Sequence, residues 1–66
     1  MSAAPIQELT AQEAVVLKLI VQGLTSREAG VLLGISPRTV EFHRGHIMEK
    51  YAARNMADLM RLVYSH

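Results

Sequence analysis

The chain has 66 residues, a formal net charge of +1 and no cysteine. This length allows one small domain near the lower limit for a self-supporting core, and the lack of thiols excludes disulfides and zinc sites with thiolate ligands. Half of the residues are hydrophobic, which favours a folded domain over a disordered tail.

The apolar runs are far shorter than the roughly 20 residues of a membrane span. Residues 1–8 lack the basic and apolar pattern of a secretion signal. We therefore expect a cytoplasmic protein in which residues 1–8 are a linker or a frayed N-terminus and residues 9–66 form one domain.

Apolar residues recur at intervals of three and four, which predicts helices. Each helix is preceded by a side chain that can cap it, with an acid or a proline in the first turn. The four pairs are Thr10 with Glu13, Thr25 with Glu28, Ser36 with Pro37, and Asn55 with Asp58. The sequence thus predicts an all-α, four-helix domain with helices at 11–22, 26–33, 37–51 and 56–64.

The link between the second and third helices is so short that it favours a helix-turn-helix. Gly30 offers a small residue where the two helices cross, and Gly34 tolerates a left-handed turn. Val40 supplies an inward anchor, with Ala29, Leu33 and Ile35 around it. Any helical hairpin with a glycine in its loop is the plainer alternative.

The third helix has distinct inner and outer faces. Val40, Ile47 and Tyr51 share one stripe, which we predict to be core. The opposite face and its edge carry the candidate base-reading residues, namely Arg38, Glu41, Phe42 and Gly45. Phe can contact a thymine methyl, Glu can accept from cytosine N4, Arg can reach guanine, and a glycine allows close approach.

Basic residues are concentrated in the second half of the chain, where residues 36–66 hold five Lys or Arg against three acids. Hydroxyl groups and free amides at helix N-termini can also bind phosphates. Candidate phosphate contacts are Thr25, Ser26, Arg27, Ser36, Thr39, Arg44, Lys50 and Arg54. For Arg44 an ion pair with Glu13 is an equal alternative.

With these residues in place, the chain resembles the LuxR-type DNA-binding domain, which is also the output domain of NarL/FixJ-type response regulators. The resemblance covers about residues 9–64. It is carried by Leu9-Thr10 with Glu13 and Val16-Leu17, by "GLTSREAGVLLGIS" (23–36), by "TVEFHRGHIMEK" (39–50), and by Asn55, Asp58 and Leu59.

The chain departs from the family pattern at several positions. Gln12 and Ala14 stand where arginine is usual, and Glu28-Ala29-Gly30 replaces Glu-Ile-Ala. Glu41 and Gly45 occupy positions where many members carry Lys or Arg. Glu41 and Gly45 therefore supply no cation for phosphate, and the smaller side chains of the second helix predict a softer core.

The resemblance implies bacterial transcription regulation through double-stranded DNA, with helix 37–51 in the major groove and no cofactor. It also implies a homodimer on DNA, RNA polymerase as a further partner, and a receiver or sensor domain in a full-length protein. The dimer contacts would be Met56, Leu59, Met60 and Val63. The alternative for this last helix is that both of its apolar lines belong to the core.

Three other interpretations stay open. The outward Phe42 and Glu41 could dock on a protein instead of DNA, and region 4 of a sigma factor has a similar capped hairpin. His43, His46 and Glu49 have a spacing that could suggest a metal site or an acid–base pair. Their directions on the helix diverge and the chain is too short for a catalytic pocket, so we expect neither a metal nor an enzyme.

Overall fold

Four α-helices follow the four start signals in the computed structural model, which describes residues 9–65. They are α1 (Ala11–Val21), α2 (Ser26–Leu33), α3 (Pro37–Tyr51) and α4 (Met56–Tyr64). The predicted all-α, four-helix class is confirmed, with α1 ending one residue earlier than expected. The prediction for residues 1–8 lies outside the described residues.

Each helix begins with a hydrogen-bonded cap. The Glu13 N–H donates to Thr10 Oγ1 (3.1 Å), and the Thr10 N–H donates back to Glu13 Oε1 (3.0 Å). The same reciprocal pair joins Thr25 and Glu28. Because these bonds satisfy N–H groups that a helix leaves without intrahelical partners, the sequence sets the helix starts locally.

The third and fourth helices each have one side-chain acceptor as a cap. Ser36 Oγ accepts from the Thr39 N–H at 3.1 Å, and Asn55 Oδ1 accepts from the Asp58 N–H at 2.8 Å. At the other end of α3, Ala52 takes a left-handed conformation with φ of 56°. No glycine marks that end, so the sequence signals it less clearly than the glycine after α2.

The turn between α2 and α3 is closed by direct backbone contact. A Cβ atom at Gly30 would lie 2.6 Å from the Ile35 carbonyl oxygen, which is too close for any side chain. Gly34 adopts a left-handed φ of 72°. The two glycines therefore act as the sequence predicts, and the small residue at position 30 is required by the approach of the turn.

Helix α3 packs through the centre of the domain. Val40 and Ile47 on α3, Val16 on α1 and Leu59 on α4 are completely buried. The predicted stripe of α3 is confirmed, since Tyr51 is 4% exposed. No helix within residues 9–65 is long and apolar enough to cross a membrane.

Candidate nucleic-acid interface

The outward face of α3 carries all four predicted base-reading residues. Arg38, Glu41, Phe42 and Gly45 are exposed, and the Phe42 side chain is 60% exposed. A Cβ atom at Gly45 would meet nothing within 4 Å, so this part of the face is open. Since Val40 and Ile47 are locked in the core beneath, the direction of the face is fixed by packing.

Phe42 lies beside an imidazole that sequence reasoning did not assign to the site. The ring centroids of Phe42 and His46 are 4.4 Å apart with a 46° tilt. His43 is farther away, at 6.0 Å and 63°. The spacing of four residues between Phe42 and His46 on one helix is the signal that could have predicted this pair.

An open groove of about 600 Å³ separates the N-terminus of α2 from α3. Its lining brings together one predicted base-reading residue and four of the predicted phosphate contacts, namely Glu41 with Thr25, Ser26, Arg27 and Arg44. The side chains of Arg27 and Glu41 are exposed here, so the groove carries both charge signs.

Arg44 connects α3 to the start of α2. Its Nη1 donates to Ser26 Oγ at 3.1 Å, and Ser26 is itself buried. The alternative in which Arg44 pairs with Glu13 is not what the structure forms, because Glu13 is engaged by other groups. Arg44 lies at the rim of the groove, and its contact with phosphate stays a prediction.

Glu13 on α1 is bound by Lys50 on α3. Lys50 Nζ lies 2.7 Å from Glu13 Oε1, and His46 Nδ1 lies 3.6 Å from Glu13 Oε2. The hydrogen bond from Lys50, followed by that from the Thr10 N–H, holds the pKa of Glu13 below its usual value. The Lys50 side chain is still 27% exposed, so the predicted contact of Lys50 with phosphate stays a prediction.

The remaining predicted phosphate contacts lie at helix starts. Ser36 Oγ and Thr39 Oγ1 are 3.0 Å apart and bond to each other. Arg54 precedes α4, and its side chain is 87% exposed beside Asp58 at 3.8 Å. These groups are accessible, but they do not converge on the α2–α3 groove.

Helix α4 offers a smaller apolar surface than the sequence suggested. Leu59 was predicted as a dimer contact, but it is completely buried in the core of its own chain. Its assignment is therefore corrected. Met56 and Val63 are half-buried against the core, and Met60 is half-buried as well.

Helix α2 exposes two large apolar side chains that sequence reasoning left unassigned. Val31 is 78% exposed and Leu32 is 67% exposed. They line a shallow depression of about 490 Å³ together with Leu24 and Arg27. The signal was present in the sequence, because an eight-residue helix with apolar residues at four of its last five positions cannot turn all of them inward.

The sequence also left open a metal site or an acid–base pair at His43, His46 and Glu49. Within residues 9–65, no group of three His, Cys, Asp or Glu side chains is placed to hold a metal ion. His46 faces Glu13 across the α1–α3 contact, and Glu49 is exposed.

The fold and this surface define a helix-turn-helix domain with a supported, outward-facing third helix. The chain belongs to the luxR family of bacterial regulatory proteins, whose profile matches residues 7–63. This membership confirms the resemblance inferred from the sequence. The family consists of DNA-binding transcription regulators, which supports DNA-binding regulation as the role of this domain.

Curated relatives support the same assignment. The chain is 39% identical over 56 residues to nodulation protein W of Bradyrhizobium diazoefficiens, a match covering 85% of this chain and 25% of that protein. It is 46% identical over 50 residues to the C4-dicarboxylate transport transcriptional regulatory protein DctR of Rhodobacter capsulatus, covering 76% and 25%. It is 41% identical over 59 residues to the transcriptional regulatory protein FixJ of Rhizobium meliloti, covering 89% and 29%.

The chain thus spans about a quarter of the length of these relatives. No solved structure gives a significant match.

Proposed function

We propose that the domain binds specific sequences in double-stranded DNA by inserting α3 into the major groove, and that two copies bind together on twofold-related half-sites. In a regulator of the relatives' length, it would serve as the DNA-binding part under the control of a receiver or sensor domain. The observation that carries the proposal is the outward face of α3. Phe42 is exposed there and Gly45 has open space around it, while Val40 and Ile47 on the opposite side of the helix are completely buried.

The chemistry of this face fits base edges better than phosphates. Phe42 is apolar, Glu41 is repelled by phosphates, and Arg38 can donate two parallel hydrogen bonds to guanine. Charge for the DNA backbone comes from the edges instead, where Arg27 is exposed and Arg44 lines the same groove. The domain therefore gains selectivity from α3 and affinity from the α2 end of the groove.

The N-terminus of α2 supports this division. The first N–H groups of a helix have no intrahelical acceptor. At α2 these groups lie at the groove that Ser26 and Arg27 line. A phosphate placed there would meet amide dipoles and one guanidinium group. The charge at the groove is modest, so we expect weak binding by one copy and a strong benefit from pairing two.

The first experiment selects bound sequences from a random DNA pool and then measures affinity for the selected operator and for unrelated DNA. Phe42→Ala should weaken operator binding by about 1–3 kcal/mol, the usual cost of losing recognition of one base pair, while leaving non-specific binding nearly unchanged. Leu32→Ala on α2 is the matched control, because it also removes an exposed apolar side chain. An equal loss on both DNAs would refute a base-reading role for Phe42.

Salt dependence tests the DNA-binding proposal as a whole. Binding should weaken steeply as salt rises, because each neutralised phosphate releases counterions. No binding to any DNA at low salt would exclude this function and favour a protein-interaction module.

The dimer proposal is tested on α4. Met60→Glu should abolish cooperativity on an operator with two half-sites, because it places a charge on the accessible apolar edge of the helix, while leaving single half-site affinity intact. Met60→Leu keeps the surface apolar and should keep the cooperativity. Unchanged cooperativity in the glutamate variant, with helical content preserved, would rule out this face.

A further inference from the structure

The exposed ring of Phe42 is not held by the core. Its side chain is 60% exposed, and the neighbouring Gly45 leaves open space on the same face. An aromatic side chain in such a place has several rotamers available to it. A ring that discriminates between bases must keep one orientation, because a loosely placed contact gives little selectivity.

His46 lies where it can restrict that ring. The two rings are four residues apart on α3, and their centroids are separated by 4.4 Å. This distance is at the short end of the separations found in aromatic pairs, so the two tilted rings are in direct contact. The imidazole occupies one side of Phe42 and so limits the rotation of the phenyl ring on that side.

His46 also approaches α1, although its own side chain is 47% exposed. Its Nδ1 lies 3.6 Å from Glu13 Oε2, and Glu13 is only 3% exposed. Glu13 is fixed in turn by Lys50 at 2.7 Å and by the Thr10 N–H at 3.0 Å. A continuous series of contacts therefore runs from the capping box of α1 to the exposed ring on α3.

We propose that His46 is a positioning residue for base recognition. Its ring packs against Phe42 and orients the phenyl group toward one base pair, where the preferred ligand is the 5-methyl group of a thymine. This inference rests on the proposed function, because it assigns a supporting residue and a target group to the same face. His46 contributes to selectivity through the ring contact and not through general attraction to DNA.

The test replaces each thymine of the selected operator with deoxyuridine, one position at a time, which removes only the methyl group. The wild-type domain should lose about fourfold in affinity at one position, the amount expected from burying one methyl group. His46→Asn removes the aromatic ring and should reduce that penalty to less than about twofold. Its affinity for unrelated DNA and its melting temperature should stay unchanged.

His46→Phe provides the rescue, since it keeps an aromatic ring and loses the nitrogen that faces Glu13. This variant should retain the deoxyuridine penalty. The inference is overturned if His46→Asn keeps the full penalty, or if His46→Phe loses as much as His46→Asn.

The wild-type results separate this inference from the proposed function. A domain that selects an operator but shows no deoxyuridine penalty at any position overturns the thymine contact and leaves sequence-specific binding standing. A domain that selects no sequence at all overturns both.

Discussion

Gly30→Ala should destabilise the domain although alanine is the better helix former. In an exposed helix interior this change would gain about 1 kcal/mol. At position 30 the added Cβ would lie 2.6 Å from the Ile35 carbonyl oxygen and 3.4 Å from backbone atoms of Ser36 and Pro37. All three obstacles are backbone atoms, so no side-chain rotation relieves the contact.

The cost follows from moving the turn. Overpacking in a well-packed interior costs about 1–3 kcal/mol, and a backbone obstacle places Gly30→Ala in the upper part of that range. Subtracting the gain in helix propensity leaves a net loss of about 1–2 kcal/mol. For a domain of this size that loss lowers the melting temperature by roughly 5–15 °C.

Gly45→Ala is the matched control, because it makes the same chemical change inside α3 where a Cβ meets nothing within 4 Å. It should raise the free energy of unfolding by about 0.5–1 kcal/mol. Thermal and urea unfolding, followed by circular dichroism, measure both variants. If Gly30→Ala stabilises the domain as much as Gly45→Ala does, then the Ile35 carbonyl group does not lie as close to Gly30 as the structure shows.

Two further changes probe polar groups in and around the core. Glu13→Gln should make stability less dependent on pH in acid. The Lys50 hydrogen bond holds the pKa of Glu13 below its ordinary 4.5 in the folded domain, so the unfolded chain takes up a proton first. The stabilisation from Glu13 is therefore lost as the pH falls through 4.5 and below. Urea midpoints from neutral pH to about pH 3 test this, and parallel curves for wild type and variant would contradict it. Tyr51→Phe should leave stability unchanged or raise it by up to about 1 kcal/mol, because the buried Tyr51 hydroxyl has no hydrogen-bond partner among residues 9–65; a clear loss in thermal unfolding would show that the hydroxyl is bonded in solution.

The helix starts could be predicted because each depends on residues three positions apart. Thr10 with Glu13 and Thr25 with Glu28 form the expected reciprocal bonds. The outward direction of Phe42 was equally accessible, since the apolar stripe of α3 fixes which side faces the core. Both results follow from helix geometry alone.

The partners of charged groups could not be predicted in the same way. Glu13 and Lys50 are 37 residues apart in the chain, and the choice between Lys50 and Arg44 depends on how α1 crosses α3. In the observed packing Arg44 donates a hydrogen bond to Ser26 instead. Arg44 and Lys50 are less than two turns apart on α3, so the sequence alone does not tell which of the two cations meets Glu13.

The sequence by itself determined the four helices, the two glycines of the turn and the face of α3 that points outward, because caps, left-handed turns and helical periodicity act over a few residues. Only the tertiary structure decided that Leu59 is core, which apolar side chains of α2 stay exposed, and that His46 contacts both Phe42 and Glu13. Those outcomes depend on the limited area over which short helices meet. A small domain cannot bury every apolar side chain, and packing alone selects which ones remain outside.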